Sequence, residues 1–333
     1  MARQVTGLDG SGITATERTG TPRRRMVFTA VSSLAVIAAA CVLYASIEIQ
    51  RATQDVHATL EAVALLKLRS IEELRTQAHE RDRAAATGMA SELTTIQSAL
   101  AGNAEEQARA ASVLAAYTSP AGPQTLALVA RDATVVVNTG GAEPSAASLK
   151  ALLLRAQESG TATSVLTSEP SGHLVVETVW PIHEEGEHGA MLGAVVFRHE
   201  LTSRILALAE WWPRESSTAE TLIVRLEGEE IEYLSRGRSQ PANVVGFRLP
   251  ASLPDLPAAK ALRGRTIVDG VDYRGSKTLA VARRLADSDW HLVSKVDVDE
   301  ALADTYRSIA SFTAVIIAGL VALWTILALW FRE

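Results

Sequence analysis

Residues 211–221 read Trp-Trp-Pro-Arg-Glu-Ser-Ser-Thr-Ala-Glu-Thr, and this run divides a β-rich interior into two halves of similar size. Pro213 has no amide hydrogen to donate and biases Trp212 away from helix, so a helix arriving from the N-terminal side ends here. Ser216, Ser217 and Thr218 are turn formers, and Thr221 opens a β-rich run, Leu222–Leu226. The stretch reads as the hinge between two lobes, with Trp211 and Trp212 at the lobe seam.

Upstream of the hinge, residues 117–211 form the first lobe. Gln124–Ala130 and Thr134–Asn138 flank a turn at Arg131-Asp132-Ala133. Ser145–Glu158 reads as a helix, with Ser145 as its N-cap and Gly160 past its end. Thr161–Thr167, His173–Pro181 and Ala190–Arg198 are three further strands, and Glu200–Trp211 is a connecting helix. On the fourth strand Leu174, Val176, Thr178 and Trp180 share one face, with Val175, Glu177 and Val179 on the other. Downstream, residues 212–307 repeat the order. Thr221–Leu226 and Glu230–Ser235 pair through Glu227-Gly228-Glu229, Leu256–Arg263 is a short helix, and Thr266–Asp269, Ser276–Arg284 and His291–Val296 are strands. Each lobe is strand, strand, helix, then three strands.

Two charge-free apolar runs bracket these lobes. Met26–Ser46 is 21 residues long, roughly 31 Å as a helix and enough to cross a bilayer core of about 30 Å. Arg23-Arg24-Arg25 precede it and place the N-terminus in the cytoplasm by the positive-inside rule. A cleaved signal peptide and a lipoprotein site at Ala38-Ala39-Ala40-Cys41 are the competing readings; the first expects a shorter apolar region, and the second a run that does not continue through Val42-Leu43-Tyr44. The second span, within residues 308–331, ends in Trp324, Trp330 and Phe331, which suit a membrane interface. Two spans put both tails (1–25 and 332–333) in the cytoplasm and residues 47–307 in the periplasm or outside the cell.

Residues 47–116 carry a helical pattern without proline. Val56, Leu60, Val63, Ile71, Leu74, Ala78, Met89, Leu93, Ile96 and Leu100 form an apolar stripe with charges on the other faces. Gly88 and Gly102-Asn103 are the weak points. The stripe fits a stalk that pairs with its twin in a homodimer, and it equally fits a helix packed on its own domain.

With 47% hydrophobic residues among 333, the chain can bury one or two cores. A net charge of −6 without a basic stripe gives no reason to expect nucleic acid. The single cysteine, Cys41, excludes an internal disulfide and a cysteine-based zinc site.

Several segments together resemble the double Cache sensor domains of bacterial transmembrane receptors, in particular the input regions of sensor histidine kinases and diguanylate cyclases. They are K-L-R-S-I-E-E-L-R on the stalk, the hinge continued as L-I-V-R-L-E-G-E-E-I-E-Y-L, L-P-D-L-P-A-A-K-A-L-R-G at the second-lobe helix, and G-V-D-Y-R-G-S-K-T-L-A-V-A-R-R-L-A-D-S-D-W-H-L-V-S-K-V-D on the closing strands. The resemblance implies an α+β fold: a long N-terminal helix and two PAS-like antiparallel-sheet lobes, flanked by two transmembrane helices. It also implies signal transduction in a two-component or cyclase system. The sequence departs from the pattern in lacking a glycine after Asp132 and the motif with which amino-acid-binding relatives grip their ligand. After the second span only Arg332-Glu333 follow, so the expected output, kinase or cyclase, is a separate partner or a missing portion.

Catalytic chemistry finds no support. His183-Glu184-Glu185-Gly186-Glu187-His188 misses both helical zinc motifs and reads as a hairpin loop, so no metal and no cofactor are expected. Asp287-Ser288-Asp289 reads as a turn before Trp290. The resemblance puts a small-molecule ligand in the membrane-distal first lobe, where Arg131, Glu177, Trp180 and Arg198 are the candidates: the arginines for a carboxylate, Trp180 as an apolar or cationic wall. Tyr273 and Arg274 are the weaker second-lobe pair. The reading is therefore a membrane-bound sensor, not an enzyme; the alternative is a non-sensory anchored scaffold for an envelope protein.

Overall fold

A computed structural model describes residues 22–119, 123–140, 143–144, 146–169, 172–184, 189–238 and 247–330. The tail at 1–21, the cap Ser145, the loop at 185–188 and residues 331–333 lie outside these. The chain divides into two compact units, one of Met1–Arg51 with Thr305–Glu333 and one of Ala52–Asp304.

The first unit holds two helical segments, the start of α1 (Pro22–Gly88) and most of α8 (Ala303–Trp330). Both are long and apolar enough to cross a membrane. Within this unit Tyr44 and Phe312 pack with ring centroids 4.5 Å apart.

In the second unit, α1 stops at Gly88, so residues 47–116 are not one helix. A Cβ at Gly88 would stand 2.9 Å from the Tyr117 hydroxyl, so a larger residue there would displace the Tyr117 ring. A 3₁₀ turn (Met89–Glu92) leads into α2 (Leu93–Leu100). Gly102 then takes a φ of +93°, and the Asn103 side chain caps α3 (Ala104–Ala116) by accepting from the amides of Glu105 and Glu106. Both glycine sites flagged by the sequence are breaks, and α2 and α3 pack as a hairpin.

The first lobe is a five-stranded antiparallel sheet of β1 (Thr125–Ala130), β2 (Val135–Asn138), β3 (Thr163–Ser168), β4 (Leu174–His183) and β5 (Met191–Glu200), in the order β2-β1-β5-β4-β3. α4 (Ala146–Ser159) covers one face and α5 (Thr202–Glu210) leads out. The second lobe has β6 (Glu220–Glu227), β7 (Glu230–Tyr233), β8 (Arg248–Pro250), β9 (Gly270–Val271), β10 (Lys277–Arg284) and β11 (His291–Asp297), ordered β8-β7-β6-β11-β10-β9, with α6 (Pro257–Leu262) on one face. In both sheets the first and last strands of the lobe lie side by side. The expected strand at Thr266–Asp269 is a single bridge, Ile267 to Val281, followed by the two-residue β9, and β8 had no counterpart in the sequence reading.

Each sheet is covered on both faces. Leu126, Leu128, Val195 and Phe197 meet Met89, Ile96, Ala110 and Leu114 from the stalk, while Ala127, Val129, Val179 and Val196 meet Leu149, Leu152 and Ala156 of α4. The alternation read on β4 holds, with Leu174, Val176 and Trp180 on the stalk side and Val179 under α4. The stalk stripe packs on the chain's own lobes: Leu60, Val63, Ile71, Ala78, Met89 and Ile96 are all buried.

The seam between lobes is not made by the two hinge tryptophans. It consists of Leu166, Leu174, Val176, Leu201, Ile205 and Ala209 against Ile223, Leu234, Leu285, Trp290 and Leu292. Trp211 is 48% exposed, and Trp212 packs beside Leu60, Ala219 and Val296. Pro213 follows them directly, so the chain leaves α5 before either ring reaches the seam.

Candidate functional site

Of the four first-lobe candidates, the fold brings two together. Glu177 and Arg198 are register partners on β4 and β5 and face α4. Arg198 Nε donates to Glu177 Oε1 at 2.9 Å, and its Nη2 meets Glu169 Oε1 at 2.5 Å. Ser148 on α4 donates to Glu177 Oε2 at 3.0 Å. Glu177 is 1% and Arg198 5% exposed, so each charge relies on the other for its solvation. Glu169 sits in the β3–β4 turn and keeps partial access to water.

Trp180 lies on the opposite face. With Met89, Leu93, Ile96, Ile182 and Val195 it lines a cleft of about 300 Å³ against the stalk. Arg131 is exposed in the β1–β2 turn, beside Asp132 and Lys150. These two therefore belong to other surfaces. Face alternation separates Trp180 from Glu177, three residues away, as the strand period requires.

The second-lobe pair, Tyr273 and Arg274, sits in the β9–β10 turn within a larger charged group. Lys295 Nζ on β11 is 2.6 Å from Glu220 Oε1 and 2.6 Å from Asp272 Oδ2. Arg274 joins Asp272 to Asp297. Sequence reading missed Lys295, Glu220 and Asp272, because they are 75 residues apart at the extremes and only the sheet register unites them.

Two contacts tie the stalk and the hinge to the second lobe. Lys67 on α1 is 2% exposed and donates to the Ala209 carbonyl and to Thr221 Oγ1, each at 2.8 Å. Its Nζ lies 4.7 Å from the Trp212 ring centre. Burial, helped by the charge of Arg238, pulls its pKa down to about 7. Thr221 Oγ1 in turn shares a hydrogen bond with Ser294 Oγ on β11 at 2.9 Å. The hinge hydroxyls grip the carboxylate of Glu300 on α7 (Val298–Ala301): Ser216 Oγ at 2.5 Å, Ser217 Oγ at 2.6 Å and Thr218 Oγ1 at 2.7 Å.

No protein-family model matches the chain, and no curated protein matches it. Solved structures resemble it at low identity. The ligand-binding domain of Mlp24 with asparagine is 20% identical with a TM-score of 0.44, over 74% of this chain and 98% of that one. The periplasmic domain of RsbU from Chlamydia trachomatis is 13% identical with a TM-score of 0.46, over 77% and 97%. The ligand-binding domain of the Pseudomonas aeruginosa PAO1 amino acid chemoreceptor PctC, in complex with GABA, is 15% identical with a TM-score of 0.42, over 73% and 100%.

Proposed function

We propose that the chain is a membrane-anchored extracytoplasmic sensor module that detects a small carboxylate in its first lobe and passes the change to the second span. The observation that carries this reading is the uninterrupted chain path from the charged site to that span. Arg198 lies on β5, β5 runs through Leu201 into α5, and α5 ends at the hinge whose hydroxyls hold Glu300. Glu300 stands on α7, between β11 and α8, the second apolar helix.

A carboxylate ligand would take the place of Glu169 on Arg198, since Glu169 is the partner at the loop and Glu177 the one beneath α4. Exchange of one carboxylate for another keeps the guanidinium paired, so it avoids the cost of a bare buried charge. It would release the β3–β4 turn and alter the end of β5. Such a shift transmits information only if the ligand binds the two arrangements with different affinity. The reading extends to both tails in the cytoplasm, to an output of kinase or cyclase type carried by another protein or portion, and to a homodimer. Because the apolar stripe is spent on the chain's own lobes, that dimer would use the other stalk face, where Leu65 and Leu66 are exposed.

The test is thermal unfolding of the full chain in detergent against monocarboxylates, dicarboxylates and α-amino acids. A saturable rise in Tm with one class, absent in Arg198→Gln, is the expected result. No shift with any of the three, together with stoichiometric co-purification of an envelope protein, would favour the scaffold reading instead.

A further inference from the structure

The last strand of each lobe carries one buried cation at the same topological position. Arg198 on β5 stands opposite Thr125, the first residue of β1, and Lys295 on β11 stands opposite Glu220, the first residue of β6. Each cation also meets a carboxylate from the turn that enters the lobe's penultimate strand, Glu169 for Arg198 and Asp272 for Lys295.

In the second lobe the surroundings of the cation are organised without it. Glu220 Oε2 accepts from the Arg238 amide at 2.6 Å and from Tyr273 Oη at 3.3 Å. Asp272 Oδ1 accepts from the amides of Arg274 and Ser276 at 2.8 and 3.1 Å, and its Oδ2 from Arg274 Nε at 2.8 Å. Both carboxylates are therefore oriented by donors other than Lys295. The Tyr273 ring lies 5.2 Å from Lys295 Nζ and gives the site a π-face. Behind it Phe247 packs on Tyr273 and stacks on Tyr233, with centroids 5.5 and 4.1 Å apart. Glu220, Asp272 and Lys295 are 5%, 6% and 1% exposed. Two aimed carboxylates and an aromatic wall around one ammonium constitute a receptor for a primary amine, and a bare ion pair would need neither the preset carboxylates nor the ring.

We infer that this is a primary-ammonium site whose occupant is tethered: the second lobe holds Lys295 as its own ligand. Removal of that side chain leaves a cavity of the right charge and shape for a short alkylammonium ion. A quaternary ammonium, which has no N–H to donate to Asp272 Oδ2 as Lys295 does, does not fit. This inference concerns the second lobe alone and stands apart from the carboxylate reading of the first.

The experiment is chemical rescue of full-length Lys295→Ala in detergent, followed by thermal unfolding with n-propylammonium, tetramethylammonium or sodium chloride at equal ionic strength. The expected result is a lowered Tm that n-propylammonium restores by more than half, saturably, with no specific effect of tetramethylammonium and none on the unsubstituted chain. A rise no greater than that given by sodium chloride overturns the inference. If Lys295→Ala does not accumulate in folded form, the unsubstituted chain is labelled with ¹⁵N-lysine instead. A Lys295 ammonium whose protons exchange slowly, and faster in Glu220→Gln, supports the site; fast exchange in the unsubstituted chain overturns it.

Discussion

Glu300 and Thr218 are 82 residues apart and are joined twice: the Thr218 amide and hydroxyl donate to Glu300 Oε2 at 2.9 and 2.7 Å. Thr218 Oγ1 also accepts from the Asp297 amide, at the end of β11. The hinge is thereby fastened at the junction of the last strand and α7. Burial of the Glu300 carboxylate opposes its charge, but the hydroxyls of Ser216, Ser217 and Thr218 outweigh that and hold the group at about 2. A carboxylate lowered on folding contributes stability above its unfolded value, about 4.5, and loses it as the pH falls towards 2. Glu300→Gln should lower stability at neutral pH by about 1–2 kcal/mol. It should also flatten the decline between those two pH values, as read by thermal unfolding across an acid series.

Lys67 gives the opposite limb. Its amine is buried and its folded pKa of about 7 lies below the ordinary 10.5. Above 10.5 the group is neutral in both states and costs nothing. As the pH falls towards 7 the unfolded chain gains a proton that the folded chain resists, so stability falls, and below 7 the penalty is constant. Lys67→Met should remove this slope between pH 10.5 and 7. The local hydrogen bonds to Ala209 and Thr221 are lost in the same variant, at a cost of about 1 kcal/mol, so the slope is the readout rather than the absolute value. A slope equal to that of the unsubstituted chain would show that Lys67 is hydrated.

Ala133 occupies a left-handed conformation, φ +70°, in the β1–β2 turn, where the Asp132 side chain accepts from the Thr134 amide at 2.9 Å. The Cβ makes this conformation cost about 1–2 kcal/mol. Part of the relief in Ala133→Gly is returned to the more flexible unfolded chain. The variant should gain roughly 0.5 kcal/mol, measured as a higher denaturant midpoint with unchanged slope.

Trp290 is fully buried in the seam cluster, which draws residues from both lobes and the stalk. Trp290→Ala should cost about 3–5 kcal/mol. Because the seam is one cluster, the loss should appear as two separate unfolding transitions in place of one, visible by calorimetry.

How far the sequence speaks depends on the range of the interaction. The strand order of the first lobe, the two faces of β4, the apolar helices and the breaks at Gly88 and Gly102 are local properties of spacing and backbone chemistry, and these could be read directly. The apolar stripe from Val56 to Leu100 was legible as a stripe, but its partner was not, because a helix face looks the same whether it meets its own lobes or a second copy. Lys67 follows the same rule: it falls within that stripe, yet nothing nearby in the chain announces a buried amine. Ser216, Ser217 and Thr218 carry ordinary turn chemistry, and their function as a carboxylate cradle depends on a residue 82 positions away. Trp180 and Glu177 were grouped by residue type, and the sheet separates them onto opposite faces.

Arg198 and Glu177 bear on the site most directly, because the pair is both buried and mutually dependent. Removing either partner leaves the other charge in a place that water reaches poorly, and such losses run to about 3–5 kcal/mol. Arg198→Ala keeps a second carboxylate, Glu169, without its cation, whereas Glu177→Gln leaves Arg198 paired with Glu169 at 2.5 Å. The arginine variant should therefore be the more damaging of the two. The double variant should lose less than the sum of the single losses, with a coupling of about 1–3 kcal/mol, since the second substitution removes a charge that the first has already stranded. Adding Glu169→Gln to Arg198→Ala should recover further stability for the same reason. Additive losses in urea unfolding would mean that water enters the site and that each charge is solvated independently, which would remove the physical basis for carboxylate exchange at Arg198.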